Sequence, residues 1–66
     1  MGITLRDLLF ATNDDTTVAI LDNENGEVLR RPATNDDMFY AVDEYEDCTV
    51  MDIFIEDNVM NICIEV

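Results

Sequence analysis

Leu5, Leu8 and Leu9 stand at the i, i+3, i+4 spacing that gives a helix one buried stripe. Thr4 precedes the stripe with Asp7 three residues on, a capping box with Asp in place of Glu, and Ile3 can staple onto Leu8. This predicts a short helix that runs out near Ala11 or Thr12, where Thr, Asn and Asp compete for local backbone hydrogen bonds. The β-branched run TTVAILD, the polar NENGE and then VLRRP read as a hairpin. Asn25-Gly26 supplies its positive φ angles, in a two-residue turn or a three-residue turn with a Gly bulge, and Pro32 suits a strand end.

The pentapeptide ATNDD occurs at Ala11 to Asp15 and again at Ala33 to Asp37. The first copy closes a helix. The second opens one, with Thr34 or Asn35 as cap and Asp36 and Asp37 in a first turn whose positive dipole end favours them. The shared letters are boundary chemistry. A second repeat is suggested by DTTV at Asp15 to Val18 and DCTV at Asp47 to Val50, which gives a helix–strand–strand unit occurring twice. At about 100° per residue the second helix places Met38, Ala41, Val42 and Tyr45 on one side and Asp36, Asp43, Glu44 and Asp47 opposite.

TVMDIFIED and VMNICIEV alternate strongly around Asp57-Asn58 and predict a terminal hairpin. With those two residues as the turn, Ile55 faces Met60, Ile53 faces Ile62 and Met51 faces Ile64. One face is then apolar. The other carries Asp52, Phe54, Glu56, Asn61, Cys63 and Glu65, as in a sheet with one wet side. The predicted fold is a single small α+β domain over residues 1–66, in the order αββαββ, with two short helices packed on one face of an antiparallel sheet.

Charge changes the picture. Sixteen acidic side chains against three arginines leave a formal net charge of -13 on 66 residues, yet 48% of the residues are hydrophobic, the content of a folded domain. A core of this size rarely supplies more than about 3–5 kcal/mol, and mutual repulsion works against it, so the charge serves solubility or a partner of opposite sign. No secretory leader is predicted in residues 1–12, and no apolar stretch approaches a bilayer span. Anionic headgroups would repel the chain, so no membrane role is expected. Cys48 and Cys63 are expected to be reduced, buried or half-buried thiols, because the terminal hairpin sets Cys63 opposite Asp52 rather than near Cys48.

With His, Lys and Ser all absent, the common nucleophile–base arrangements are missing, and paired carboxylates need a cleft that so short a chain has little room to build. A non-enzyme is expected, with no cofactor. DNENGE at Asp22 to Glu27 resembles a calcium loop, but aligning Gly26 with the loop glycine puts Leu21 and Pro32 where carboxylates are required, so no metal site is expected.

Tyr40 falls among the acids of the second helix, a composition suited to gripping Lys and Arg side chains of a partner. The alternative is a solvated helix face with Tyr40 lying partly against the sheet edge. Phe54, between Asp52 and Glu56, is a second exposed aromatic or the centre of a dimer contact. The candidate partner-binding residues are therefore Asp36, Tyr40, Asp43, Glu44, Asp47, Asp52, Phe54 and Glu56. Two functions fit: acids that imitate a nucleic-acid backbone and occupy a basic groove in a DNA- or RNA-handling protein, without touching nucleic acid themselves; or a small structural or regulatory interaction module, including a homodimer.

Small size, strong acidity, absence of Lys and His and a small α/β pattern together make the chain resemble the orphan proteins of bacteriophages and mobile elements, notably anti-CRISPR and anti-restriction DNA mimics. The likeness covers the whole chain and rests on no motif, so no functional residue is carried over by position. It implies a bacterial cytoplasmic setting and inhibition of a host nuclease or its guide complex.

Overall fold

The computed structural model describes residues 2–66. Its elements are α1 (Leu5–Ala11), β1 (Thr17–Asp22), β2 (Val28–Thr34), α2 (Asn35–Phe39), β3 (Val50–Glu56) and β4 (Val59–Ile64), an α+β domain roughly in the expected order. Thr4 caps α1 by accepting from the Asp7 amide, and Thr34 caps α2 by accepting from Asp37. The N–H groups of Leu5 and Arg6, which no helical turn precedes, donate to the carbonyls of Cys48 and Glu46.

The strands form one sheet in the order β2-β1-β4-β3. Both hairpins are antiparallel, but β1 and β4 run parallel at the centre, so the sheet is mixed rather than antiparallel. The reason lies in burial. Val18 to Leu21 are all buried, and so are Ile62 to Ile64: the helices cover one face of these central strands, and on the other face side chains of both neighbouring strands stand beside them. β2, with two arginines and Pro32, and β3, with alternating acids, take the edges. Pro32 sits inside β2, where Arg31 and Pro32 together oppose Ala19 in a bulge, the setting in which a strand tolerates a missing donor. The helix–strand–strand unit does occur twice along the chain, but the two copies are not placed alike in the sheet. DTTV leads into a central strand and DCTV into an edge strand, so the two are not equivalent.

The terminal hairpin turns on Asp57 and Asn58, with φ of 54° and 63°, and pairs Ile55 with Met60, Ile53 with Ile62 and Asp52 with Cys63. Beyond Asp52 a bulge moves Val50 opposite Ile64 in place of Met51. Val50 is thereby buried, and Met51 is exposed. In the first hairpin only Gly26 has positive φ, and Asn23 to Gly26 form a four-residue loop closed by Asp22 N–H to Glu27 O and Gly26 N–H to Asp22 O. Asp22 and Asn25 each accept from an amide two residues on, which accounts for the DNENGE letters as turn chemistry.

The second helix is shorter than the periodicity predicts. It ends at Phe39, and i→i+3 bonds from Tyr40, Ala41, Tyr45 and Cys48 replace it with a chain of turns. Continuing it would place Asp43, Glu44, Glu46 and Asp47 at the negative end of the macrodipole, with like charges at i+3 and i+4. Arg30 from β2 instead takes the Ala41 carbonyl at 2.7 Å. Met38 and Val42 are still buried, Tyr45 is half-buried, and Ala41 faces solvent. Leu5, Leu9, Met38 and Val42 close over Val18, Ile20, Val50, Ile62 and Ile64, which puts both helices on one face of the sheet.

The two ATNDD copies touch. Asn35 is buried and its side-chain amide donates to Leu9 O at 2.8 Å and Thr12 O at 3.0 Å, while its backbone N–H reaches Thr16 O and that of Asp36 reaches Asp14 O. One copy thus closes the C-terminus of α1 for the other.

Candidate acidic interaction surface

None of the sixteen acids is buried, and only Asp22 and Glu46 are even half-buried. Two of the three arginines are already engaged. Arg6 meets Glu46 at 3.1 Å and Asp47 at 3.2 Å, and Arg30 binds Glu44 while its guanidinium carbon lies 4.9 Å from the centre of the Tyr45 ring. The hydrogen bond to Glu44 raises the Arg30 pKa above its ordinary value. Arg31 is exposed on the β2 edge.

The eight candidate residues separate into two groups on opposite sides of the sheet. Asp36 lies in the first turn of α2, Tyr40 caps its end, and Asp43, Glu44 and Asp47 follow in the turn segment, all on the helix side. They do not share one helix face, since no helix continues there, and Glu44 and Asp47 are tied to arginines. Tyr40 does not lie against the sheet edge; it is 80% exposed.

Asp52, Phe54 and Glu56 alternate along β3 on the face that no helix covers. Pairing aligns Phe54 with Asn61 and Ala19, and Asp52 with Cys63 and Leu21, in two rows across that face. Ala19, Leu21 and Cys63 are buried within the rows while Phe54 and Val28 flank them half-open, so this side is more apolar than a fully wet face. Cys63 and Cys48 are free thiols. Burial pushes both pKa values up, reinforced by Asp52 at Cys63 and by Asp47 and Glu65 at Cys48.

Phe10 and Phe39 stand outside the candidates that the sequence suggests. Phe10 is 75% exposed and meets Phe39 edge to face, which in turn meets Tyr40. The signal was available in part: Phe10 falls outside the Leu5, Leu8, Leu9 stripe, so helical periodicity alone turns it away from the core. No family model matches the chain, and no curated protein or solved structure does.

Proposed function

We propose that this chain is an acidic, non-enzymatic binding protein that occupies the basic nucleic-acid-binding groove of a host nuclease or another nucleic-acid-handling protein. The observation that carries the reading is the disposition of charge. All sixteen acids lie at the surface of a folded domain, against three arginines of which two are already paired. A groove built for rows of phosphates gains the same counterion release from rows of carboxylates held on a rigid scaffold. The resemblance to phage and mobile-element DNA mimics implies a bacterial cytoplasm, a compartment with which two unpaired thiols are compatible.

The test is capture on the immobilised protein at low salt, followed by elution with double-stranded DNA. The groove reading expects the captured proteins to be nucleic-acid binders that DNA and raised salt both release. Captured proteins that DNA does not displace overturn it. A second reading, a homodimer through the uncovered sheet face, is favoured by one observation: Val28 and Phe54 are 54% and 40% exposed beside the buried Leu21 and Cys63. Self-association that survives high salt would select it.

A further inference from the structure

Three aromatic rings from two helices stand together at the surface. Phe10 comes from the last turn of α1, Phe39 ends α2 and Tyr40 caps it. The Phe10 and Phe39 centroids are 5.5 Å apart with the rings at 84°, and those of Phe39 and Tyr40 are 6.2 Å apart at 65°. Phe39 is half-buried against the core and holds the group in place, while Phe10 and Tyr40 are 75% and 80% exposed. Edge-to-face contact engages one face of one ring in each pair, so most of the ring surface stays open. Core packing does not explain this, since the helix side of the sheet is already closed by Leu5, Leu9, Met38 and Val42.

Each ring has an exposed carboxylate one helical turn before it: Asp7 for Phe10, Asp36 for Phe39 and Asp37 for Tyr40. Residues three apart are neighbours on a helix surface. Ring faces attract cations, and arginine is the side chain that stacks on a ring while its fork of N–H groups reaches a carboxylate. The chain uses this combination internally, where Arg30 lies over Tyr45 and binds Glu44.

We infer that Phe10, Phe39 and Tyr40, with Asp7, Asp36 and Asp37 around them, form an anchor for arginine side chains of a basic partner. This rests on the basic-groove reading and deepens it, because it names the contact surface and sets arginine above lysine. General attraction to a charge of -13 makes no such distinction.

The probes are an oligoarginine and an oligolysine peptide of equal length, titrated by calorimetry at physiological salt with the aromatic proton shifts followed by NMR. The arginine peptide is expected to bind about three- to tenfold tighter, the scale of one or two exposed cation–π contacts, and to shift the Phe10 and Tyr40 ring signals. Phe10→Ala with Tyr40→Ala should erase the preference at unchanged circular dichroism, and Phe54→Ala should retain it. Should the double Ala variant unfold, Phe10→Leu with Tyr40→Leu keeps bulk and removes the π faces. Equal affinity for both peptides, or a preference that persists without the two rings, overturns the anchor. Failure of DNA to elute the captured partner would sink the groove reading while leaving an arginine preference standing.

Discussion

Asn35 hydrogen-bonds to the carbonyl of Leu9 across the helix pair, with its Nδ2 donating at 2.8 Å from a site that is 2% exposed. The same nitrogen also reaches Thr12 O, so one side chain satisfies two carbonyls at the end of α1. Removing it leaves both carbonyls without this donor. Asn35→Ala is expected to cost about 1–3 kcal/mol, a large part of what so small a core supplies. Asn35→Asp should be worse at neutral pH, because it turns a carboxylate toward two carbonyl oxygens. Burial raises the folded-state pKa of such an acid, so its penalty should shrink as pH falls and the protonated form becomes a donor. Thermal melts of the Asn35→Asp variant at pH 7 and pH 4, each set against the parent at the same pH, check the sign. A penalty that is smaller at the higher pH would refute the capping role.

The core and the open face of the terminal hairpin are separable. Ile62 is fully buried, so Ile62→Ala should cost about 2–5 kcal/mol and leave the domain largely unfolded. Phe54→Ala, on the uncovered face, should leave a folded protein. Ile53, half-buried near the edge, should fall between them. Far-ultraviolet circular dichroism during urea titration ranks the three.

Salt should stabilise the fold. With every acid near solvent and few cations to pair with them, added NaCl at about 0.5 M shortens the Debye length well below its physiological value of about 8 Å and relaxes repulsion. A rise in melting temperature is expected. A fall would mean that the Arg6 and Arg30 pairs outweigh the repulsion.

Arg30 holds the turn segment after α2 through Ala41 O, Glu44 and the Tyr45 ring. Arg30→Ala should therefore speed hydrogen exchange at Ala41 and Tyr45 and leave the β1 and β4 amides protected. Arg30→Lys keeps the charge without the fork and should lie between. Unchanged exchange in the Ala variant would show that Val42 burial alone fixes the segment.

Both thiols should react slowly with iodoacetamide at neutral pH, because burial and neighbouring carboxylates hold their pKa values up. An acid whose pKa is higher when folded binds its proton more tightly in the native state, so its contribution is intact below the unfolded thiol value and is lost as pH rises past it. Melting temperature should decline above the ordinary thiol range, and replacing both cysteines with Ala should flatten that decline.

Much of the local structure was legible because it rests on short-range chemistry. The Thr4 cap, the end of α1 at Ala11 and the Asp57-Asn58 turn each follow from residues within a few positions. The parallel pairing of β1 with β4 depends on residues far apart in the chain. Its trace was the unbroken apolar run Val18 to Leu21, buried without alternation as suits a strand at the centre of the sheet. The length of the second helix was misjudged because apolar spacing at Met38, Val42 and Tyr45 persists through the turns, while the acids that end the helix act through the dipole rather than the period. Among the candidate site residues, composition identified exposed acids, but only the fold separates Asp36 and Tyr40 from Asp52, Phe54 and Glu56. The meeting of Phe10 with Phe39 needed both helices in place.

The parallel centre also sets the order in which the protein can be made. β1 leaves the ribosome early, yet the neighbour that closes its second edge is β4, which follows only after β2, α2 and β3. Until then Val18 and Ile20 have the first hairpin and a loose helix for company, and Ile62 and Ile64 are not yet present to complete the core. High contact order of this kind delays folding until β4 is available. During that interval the growing chain is strongly anionic, and the repulsion that weakens the finished domain works against association of neighbouring nascent chains.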